Sequence, residues 1–482
     1  MTKARRIALL LILNCAISTL PDEAALPLGA DPQDPTIGAP TLSTFEEAVR
    51  QRNAGNETAA IGLFHKAAQN GDPRAMLEFG KVHLFAPDAS RDPSEATRWF
   101  RKAADLGNAN GMVFVGRSYR FGWGVARDDA NAVAWFRKAA DAGNGDGMAY
   151  LGQMYRDGLG VSKDAEEALK WFRKSADAGS GAGMERLGAA YETGLGVEKN
   201  LDTALRWFRA GAQAGDADSM AALGAAYYRG IGVQKDAEEA LRWFQESADL
   251  GSLNGMNWMG IVYQQGRAVA RDPLIALGYF REAADLGEVH AMINMAFAYR
   301  DGRGVPTDLS EMTGWYRKAA EAGFTAGMLN LGASYLHGAG VARDDAEAMK
   351  WFRKAAETDA QGMVWVGSLY ANGQGVSRDD GEAVSWFRKA ANLQDPAAMG
   401  WIGTMYEAGR GVPRDEAEAA RWYQKAAEGK NADAAYRLGL LYESGRGVAQ
   451  DPSEARRWFE QAARGGSRMA RQKLSQSPQE RQ

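Results

Sequence analysis

The 482-residue chain predicts an all-α fold, a solenoid of about eleven helix-turn-helix repeats of 36 residues, and three observations carry that prediction. The first is an aromatic pair that returns every 36 positions, from Trp99-Phe100 through Trp135-Phe136, Trp171-Phe172, Trp207-Phe208, Trp243-Phe244, Tyr279-Phe280 and Trp315-Tyr316 to Trp351-Phe352. After one 35-residue step it resumes at Trp386-Phe387, Trp422-Tyr423 and Trp458-Phe459. A fixed period of this size marks one supersecondary unit stacked many times, each burying its apolar face only against its neighbours. The second is helical periodicity inside the unit, and the third is a paired-glycine turn at its centre. Together they favour a binding protein over an enzyme.

The first half of the unit places Met112, Val115, Gly116 and Tyr119 at i, i+3, i+4 and i+7, one face of a helix. The same register holds in Met148, Leu151, Gly152, Tyr155 and in Met328, Leu331, Gly332, Tyr335. The glycine on that face lets a neighbouring helix come close. This leading helix ends at a Gly-x-Gly-Val turn, as at Gly122/Gly124, Gly158/Gly160 and Gly302/Gly304, because glycine accepts the left-handed conformation that terminates helices. Asp164-Ala-Glu-Glu167 and Asp236-Ala-Glu-Glu239 then read as Asp forms of the capping box, and Asp92-Pro93 and Asp451-Pro452 put proline at the first helical position. The trailing helix runs through the aromatic pair and ends near Gly107, Gly143, Gly179 or Gly215. Its acidic start and Lys/Arg end suit the helix dipole, so these charges need no ligand. Trp207 reads as a buried framework aromatic whose truncation would cost about 3–5 kcal/mol.

The motif Gly147-Met148, Leu151-Gly152, Tyr155, Gly158, Gly160-Val161, Asp164, Ala168, Trp171-Phe172, Lys174 resembles the Sel-one-like repeat, a relative of the tetratricopeptide repeat. The resemblance covers about residues 75–470 in eleven copies in register, with a degenerate half-unit from Phe45 to Gly71 before them. It implies a right-handed α/α superhelix with the leading helices lining the concave side, and adaptor work: assembling membrane-associated complexes, regulating a sensor or engaging host factors.

The ends differ from the repeats. Lys3, Arg5 and Arg6 precede an apolar run from Ile7 to about Leu20, which reads as a secretory signal peptide over residues 1–20. The run is interrupted by Asn14 and is too short to span a membrane. Cys15, the one cysteine, admits a lipoprotein reading, but Asn14 stands where such signals want Gly, Ala or Ser. The expected mature chain therefore has no thiol and no disulfide, unlike secreted family members that staple their helix pairs. Residues 21–43 carry five prolines and form a spacer, residues 44–74 a degenerate capping repeat, residues 75–470 the solenoid and residues 471–482 a polar tail. The formal charge is −4, and −7 once Lys3, Arg5 and Arg6 leave with the signal, which argues against nucleic acid. A periplasmic or secreted monomer is expected, meeting a membrane only through its transient leader.

Catalytic signals are poor. His65, His83, His290 and His337 have no metal-ligand partner at i+3 or i+4, so no metal or other cofactor is expected. The Gly-x-Gly turns follow helices rather than strands and lack the third glycine of a nucleotide fingerprint. Asp128-Asp129, Asp344-Asp345 and Asp379-Asp380 fall at the helix N-cap, where capping explains them. Positions two, five and nine after the Met vary between copies and should face the concave groove. Large aromatics there, Trp258, Trp365 and Trp401, have the composition of a binding hot spot, with Phe114, Tyr150, Arg186, Arg229, Asn294, Asn330 and His337 beside them. Filling the groove by packing on the next helix is the plainer account of the same tryptophans. The expected partner is a protein, as a peptide or a folded domain. A glycan-binding envelope protein and a secreted host-interaction factor stay open as alternatives.

Overall fold

The computed structural model describes residues 43–86 and 91–476, and among these it contains twenty-five α-helices and no strand. The signal-peptide reading of residues 1–20, nearly all of the spacer and residues 477–482 lie outside the described residues. The helices divide into two compact units, one ending at Leu286 and the other beginning at Gly287. Each is an all-α solenoid of helix-turn-helix pairs.

In the first unit Thr44–Asn53 pairs with Glu57–Gln69, Pro73–Phe85 with Pro93–Asp105, Ala109–Phe121 with Asp129–Asp141, and Gly145–Asp157 with Ala165–Asp177. Gly181–Thr193 with Leu201–Gln213, Ala217–Arg229 with Ala237–Asp249, and Leu253–Gln265 with Pro273–Asp285 complete it. The second unit holds Val289–Asp301 with Leu309–Glu321, Thr325–His337 with Asp345–Ala356, Ala360–Asn372 with Asp380–Asn392, Pro396–Ala408 with Glu416–Glu428, Ala432–Ser444 with Pro452–Arg464, and the last helix Arg468–Gln476. Within each unit the leading helices of successive repeats also touch one another, as 181–193 touches 217–229 and 396–408 touches 432–444. The leading helices therefore line the side on which the repeats crowd together.

The core is built on the second aromatic of each pair. Phe136, Phe172, Phe208, Phe244 and Phe280 are buried in the first unit, Phe352, Phe387, Tyr423 and Phe459 in the second. Each ring lies where the Cβ of a leading-helix glycine would be: a methyl added at Gly116 would stand 2.6 Å from the Phe136 ring, and at Gly188 2.6 Å from Phe208. That contact is the reason glycine sits inside these helices despite its cost. Trp99, Trp315 and Trp458 are buried as well, but the other tryptophans of the pairs are not. Trp171 and Trp207 are only half-buried and lean on the core cluster of the preceding repeat. The expectation that Trp207 is a buried framework aromatic is thus corrected: it is half-buried, while Phe208, its neighbour, keeps 3% of its surface.

The remaining repeat residues interlock. In seven repeats the lysine three positions after the tryptophan lies 3.6–4.6 Å over its indole ring, at Lys102, Lys138, Lys174, Lys318, Lys354, Lys389 and Lys425. The arginine two positions after it donates to the hydroxyl of a leading-helix tyrosine, as Arg137 does to Tyr155 at 2.9 Å and Arg388 to Tyr406 at 3.1 Å. The carbonyl of that tyrosine accepts the backbone N–H of the next N-cap, Asp164 from Tyr155 at 2.9 Å. This bond also changes the expected capping box. Asp164 and Asp236 do cap with their side chains, accepting from the N–H groups of Glu166/Glu167 and Glu238/Glu239. Their own N–H is already taken by Tyr155 and Tyr227, so Glu167 and Glu239 turn outward to Lys170, Arg242 and Trp243. The reciprocal box occurs instead at Ser43 and Glu46.

The irregular copies keep the contact that matters. The 35-residue step is absorbed at the end of Asp345–Ala356, which is one residue shorter than its counterparts and lacks the closing glycine, while Phe352 still meets Gly332. In the copy with Tyr279 for tryptophan, that ring stacks on Tyr263 at 6.0 Å. Ala268 takes the place of the second turn glycine and is held at φ 66°. A left-handed conformation costs an L-residue about 1–2 kcal/mol, so Ala268→Gly should raise stability by about 1 kcal/mol in calorimetry.

Candidate binding face of the leading helices

The position-two aromatics stand on the framework phenylalanines. Trp258 stacks on Phe244 with ring centroids 5.0 Å apart and planes 3° from parallel. Trp365 stacks on Phe352 at 5.0 Å and 6°, Trp401 on Phe387 at 5.4 Å and 6°, and Tyr150 on Phe136 at 5.0 Å and 12°. Each is half-buried, with one face committed to the preceding repeat. Phe114, at the same repeat position, packs on Phe100 with the rings tilted by 36°, keeps 5% of its surface and is a core residue. Stacking of this kind fixes a large side chain at little further entropy cost on binding.

The polar candidates divide between hydrogen-bonded networks on the leading helices and exposed tips. Arg186 donates to Glu185 at 2.9 Å and to the carbonyl of Ala182, with the Gln153 amide oxygen beside it. Burial among the leading helices pushes the Glu185 carboxyl up to about 7, and nearby Asp218 and Asp216 act in the same direction while Arg186 opposes them. Asn330 bonds the Ala326 carbonyl at 2.8 Å, Asn294 is half-buried, and His337 is exposed at the end of its helix. Among the described residues no group of three or more His, Cys, Asp or Glu side chains could hold a metal ion, and no helix is long and apolar enough to cross a membrane.

Arg229 and Trp258 come together. The Arg229 guanidinium lies 4.9 Å over the indole, which is therefore sandwiched between Phe244 and Arg229. They line an open pocket of about 460 Å³ with Tyr228, Lys235, Ile261, Gln265 and Arg267. The Tyr228 hydroxyl donates to the Gln265 side-chain oxygen at 2.9 Å, and Arg267 sits 5.2 Å over the Tyr228 ring. Burial raises the Tyr228 hydroxyl pKa. Trp258, Ile261, Gln265 and Arg229 belong to the varying stripe of the leading helices. Lys235 and Arg267 come from the turns and were missed by a reading confined to helix faces.

A solenoid of repeated helical pairs presenting such a face is a scaffold by construction. The Sel1 repeat matches residues 51–72, 73–108, 109–144, 145–180, 181–216, 217–252, 253–288, 289–324, 325–357, 360–395, 396–431 and 432–467. The chain belongs to the Sel1 repeat family, whose fold commonly mediates protein–protein interaction. Among solved structures it is similar to a protective antigen of uropathogenic Escherichia coli displaying an SLR fold, at 32% identity over 86% of this chain and 89% of that one, with a TM-score of 0.47. It is also similar to a Sel1 repeat protein of Oxalobacter formigenes (28% identity, 66% and 95% covered, TM-score 0.41). An immunity protein of Pseudomonas aeruginosa is similar at 22% identity, with 44% and 81% covered and a TM-score of 0.36. No curated protein matches the chain.

Proposed function

We propose that the protein is an exported, non-catalytic adaptor that binds a protein partner along its leading helices, in envelope complex assembly or signalling regulation. The observation that carries this reading is the set of half-buried tryptophans held flat on framework phenylalanines in both units. Rigid aromatics whose remaining surface opens beside polar side chains are the usual anchors of a protein contact. A protein partner is favoured over a sugar at Trp258, because Phe244 and Arg229 cover both faces of its ring. Export rests on the basic and then apolar start of the chain, and fractionation with N-terminal sequencing tests it.

The binding test begins with the partner that co-purifies with the protein from the native envelope. Trp365→Ala with Trp401→Ala should weaken that partner at least about thirtyfold, roughly 2 kcal/mol, with helicity unchanged. Trp171→Ala, at the framework position against the Phe136 cluster, should lower stability instead. Equal affinity of the double variant and the wild type in calorimetry would remove these tryptophans from the site.

A further inference from the structure

Several arginines in the turns of this chain are neutralised by a neighbouring carboxylate, which the cations of the pocket beside Trp258 lack. In the second unit Asp380, the first residue of its helix, bridges Arg378 at 2.8 Å and Arg410 at 2.7 Å. One repeat later Glu416 bridges Arg414 at 2.6 Å and Arg446 at 3.7 Å. The two cations come from fixed places in the repeat, two residues before the acid and thirty after it. In the copy that starts at Ala217 those places hold Lys235 and Arg267, and the place of the acid holds Ala237. Both cations are present and the bridging carboxylate is missing. Arg229 adds a third positive charge, held by its stacking on Trp258. Among the described residues no carboxylate stands within ion-pair distance of Arg229, Lys235 or Arg267. The Asp236 side chain is spent on the N–H groups of Glu238 and Glu239. Three unneutralised cations in one pocket of a chain whose formal charge is −4 make a local site of the opposite sign.

We propose that this pocket receives a side-chain carboxylate from an acidic, extended segment of the protein partner, seated between Lys235 and Arg267 as Asp380 and Glu416 are seated between their arginines. The inference rests on the adaptor reading and names the chemistry of the partner. Arg229 and Arg267 offer planar forks suited to a carboxylate. Trp258 and Ile261 form an apolar wall for the residue beside the acid. A charge-assisted contact at an exposed rim is screened by salt, so binding should weaken as ionic strength rises.

The probe is a fluorescein-labelled, amide-capped Gly-Glu-Leu-Glu-Gly peptide, titrated into the full chain by anisotropy, with the Gly-Gln-Leu-Gln-Gly peptide and inorganic phosphate as the other arms. The Glu peptide should bind at least tenfold tighter than the Gln peptide. Ala237→Asp supplies the missing carboxylate from within the chain and should lower affinity at least tenfold while the melting temperature holds or rises. Ala237→Asn should bind as the wild type does, and Arg267→Gln should bind at least tenfold more weakly. Equal binding of the Glu and Gln peptides, or undiminished binding by Ala237→Asp, overturns the proposal. So does a Glu peptide that fails to bind, whether or not phosphate does. Failure here with the Trp365/Trp401 effect intact would remove the carboxylate pocket and leave the adaptor reading standing.

Discussion

Replacing Glu78 with alanine should destabilise the amino-terminal helices by about 3–5 kcal/mol, the cost of removing one partner from a buried charge network. Glu78 keeps 6% of its surface and holds Arg52 at 2.8 Å and Lys81 at 2.7 Å, themselves 6% and 1% exposed. Two cations share one carboxylate, and the aromatic faces of Phe64 and Phe114 supply the rest, with Arg52 4.2 Å and Lys81 5.6 Å from their ring centroids. Arg52 Nε and Nη2 are already without a hydrogen-bond partner. Without Glu78 both cations would be buried and unpaired, which a low-dielectric interior tolerates worst. Hydrogen exchange should show Thr44–Asn53 and Glu57–Gln69 opening first, because repeat contacts are local. Joint replacement of Arg52, Glu78 and Lys81 by methionine, leucine and methionine should restore stability. A Glu78→Ala protein within 1 kcal/mol of wild type would mean that water reaches the triad.

The repeat framework was legible in the sequence because its constraints recur. The period, the left-handed glycines and the Asp caps are the same physical demand met many times, whereas the seat of the second aromatic on the opposing glycine emerged only in the fold. The sequence also hid contacts that occur once. Arg52, Glu78 and Lys81 look like ordinary helix-surface charges until the half-unit folds over Pro73–Phe85. The stripe of varying positions led to Arg229 and Trp258, but Lys235 and Arg267 became part of the same pocket only through the turns. A signal for them did exist: comparing Ala237 with Asp380 and Glu416 shows an acid missing between two retained cations. For Phe114 composition alone could not separate a core ring from a groove ring, since both occupy the same repeat position. The difference lies in depth of burial, which depends on the side chains of adjacent repeats.

Within the aromatic pair the phenylalanine, not the tryptophan, should carry the larger share of stability. Phe208→Ala is expected to cost about 3–5 kcal/mol, as for other buried aromatic truncations. Its ring fills the space over Gly188, whose backbone was left bare to receive it, so neither side can close the cavity without moving a helix. Trp207 is half-buried, rests on the Phe172 and Leu187 cluster from outside, and has Ala210 where other repeats place the lysine over the ring. Trp207→Ala should therefore cost about 1–2 kcal/mol, the range of partial apolar burial. Chemical denaturation followed by hydrogen exchange in Gly181–Thr193 and Leu201–Gln213 separates the two. A larger effect at Trp207 than at Phe208 would place the inter-repeat interface, rather than the intra-repeat glycine contact, as the dominant source of stability. Gly188→Ala is the complementary change: its methyl would meet the Phe208 ring at 2.6 Å, so it should destabilise despite the better helix propensity of alanine.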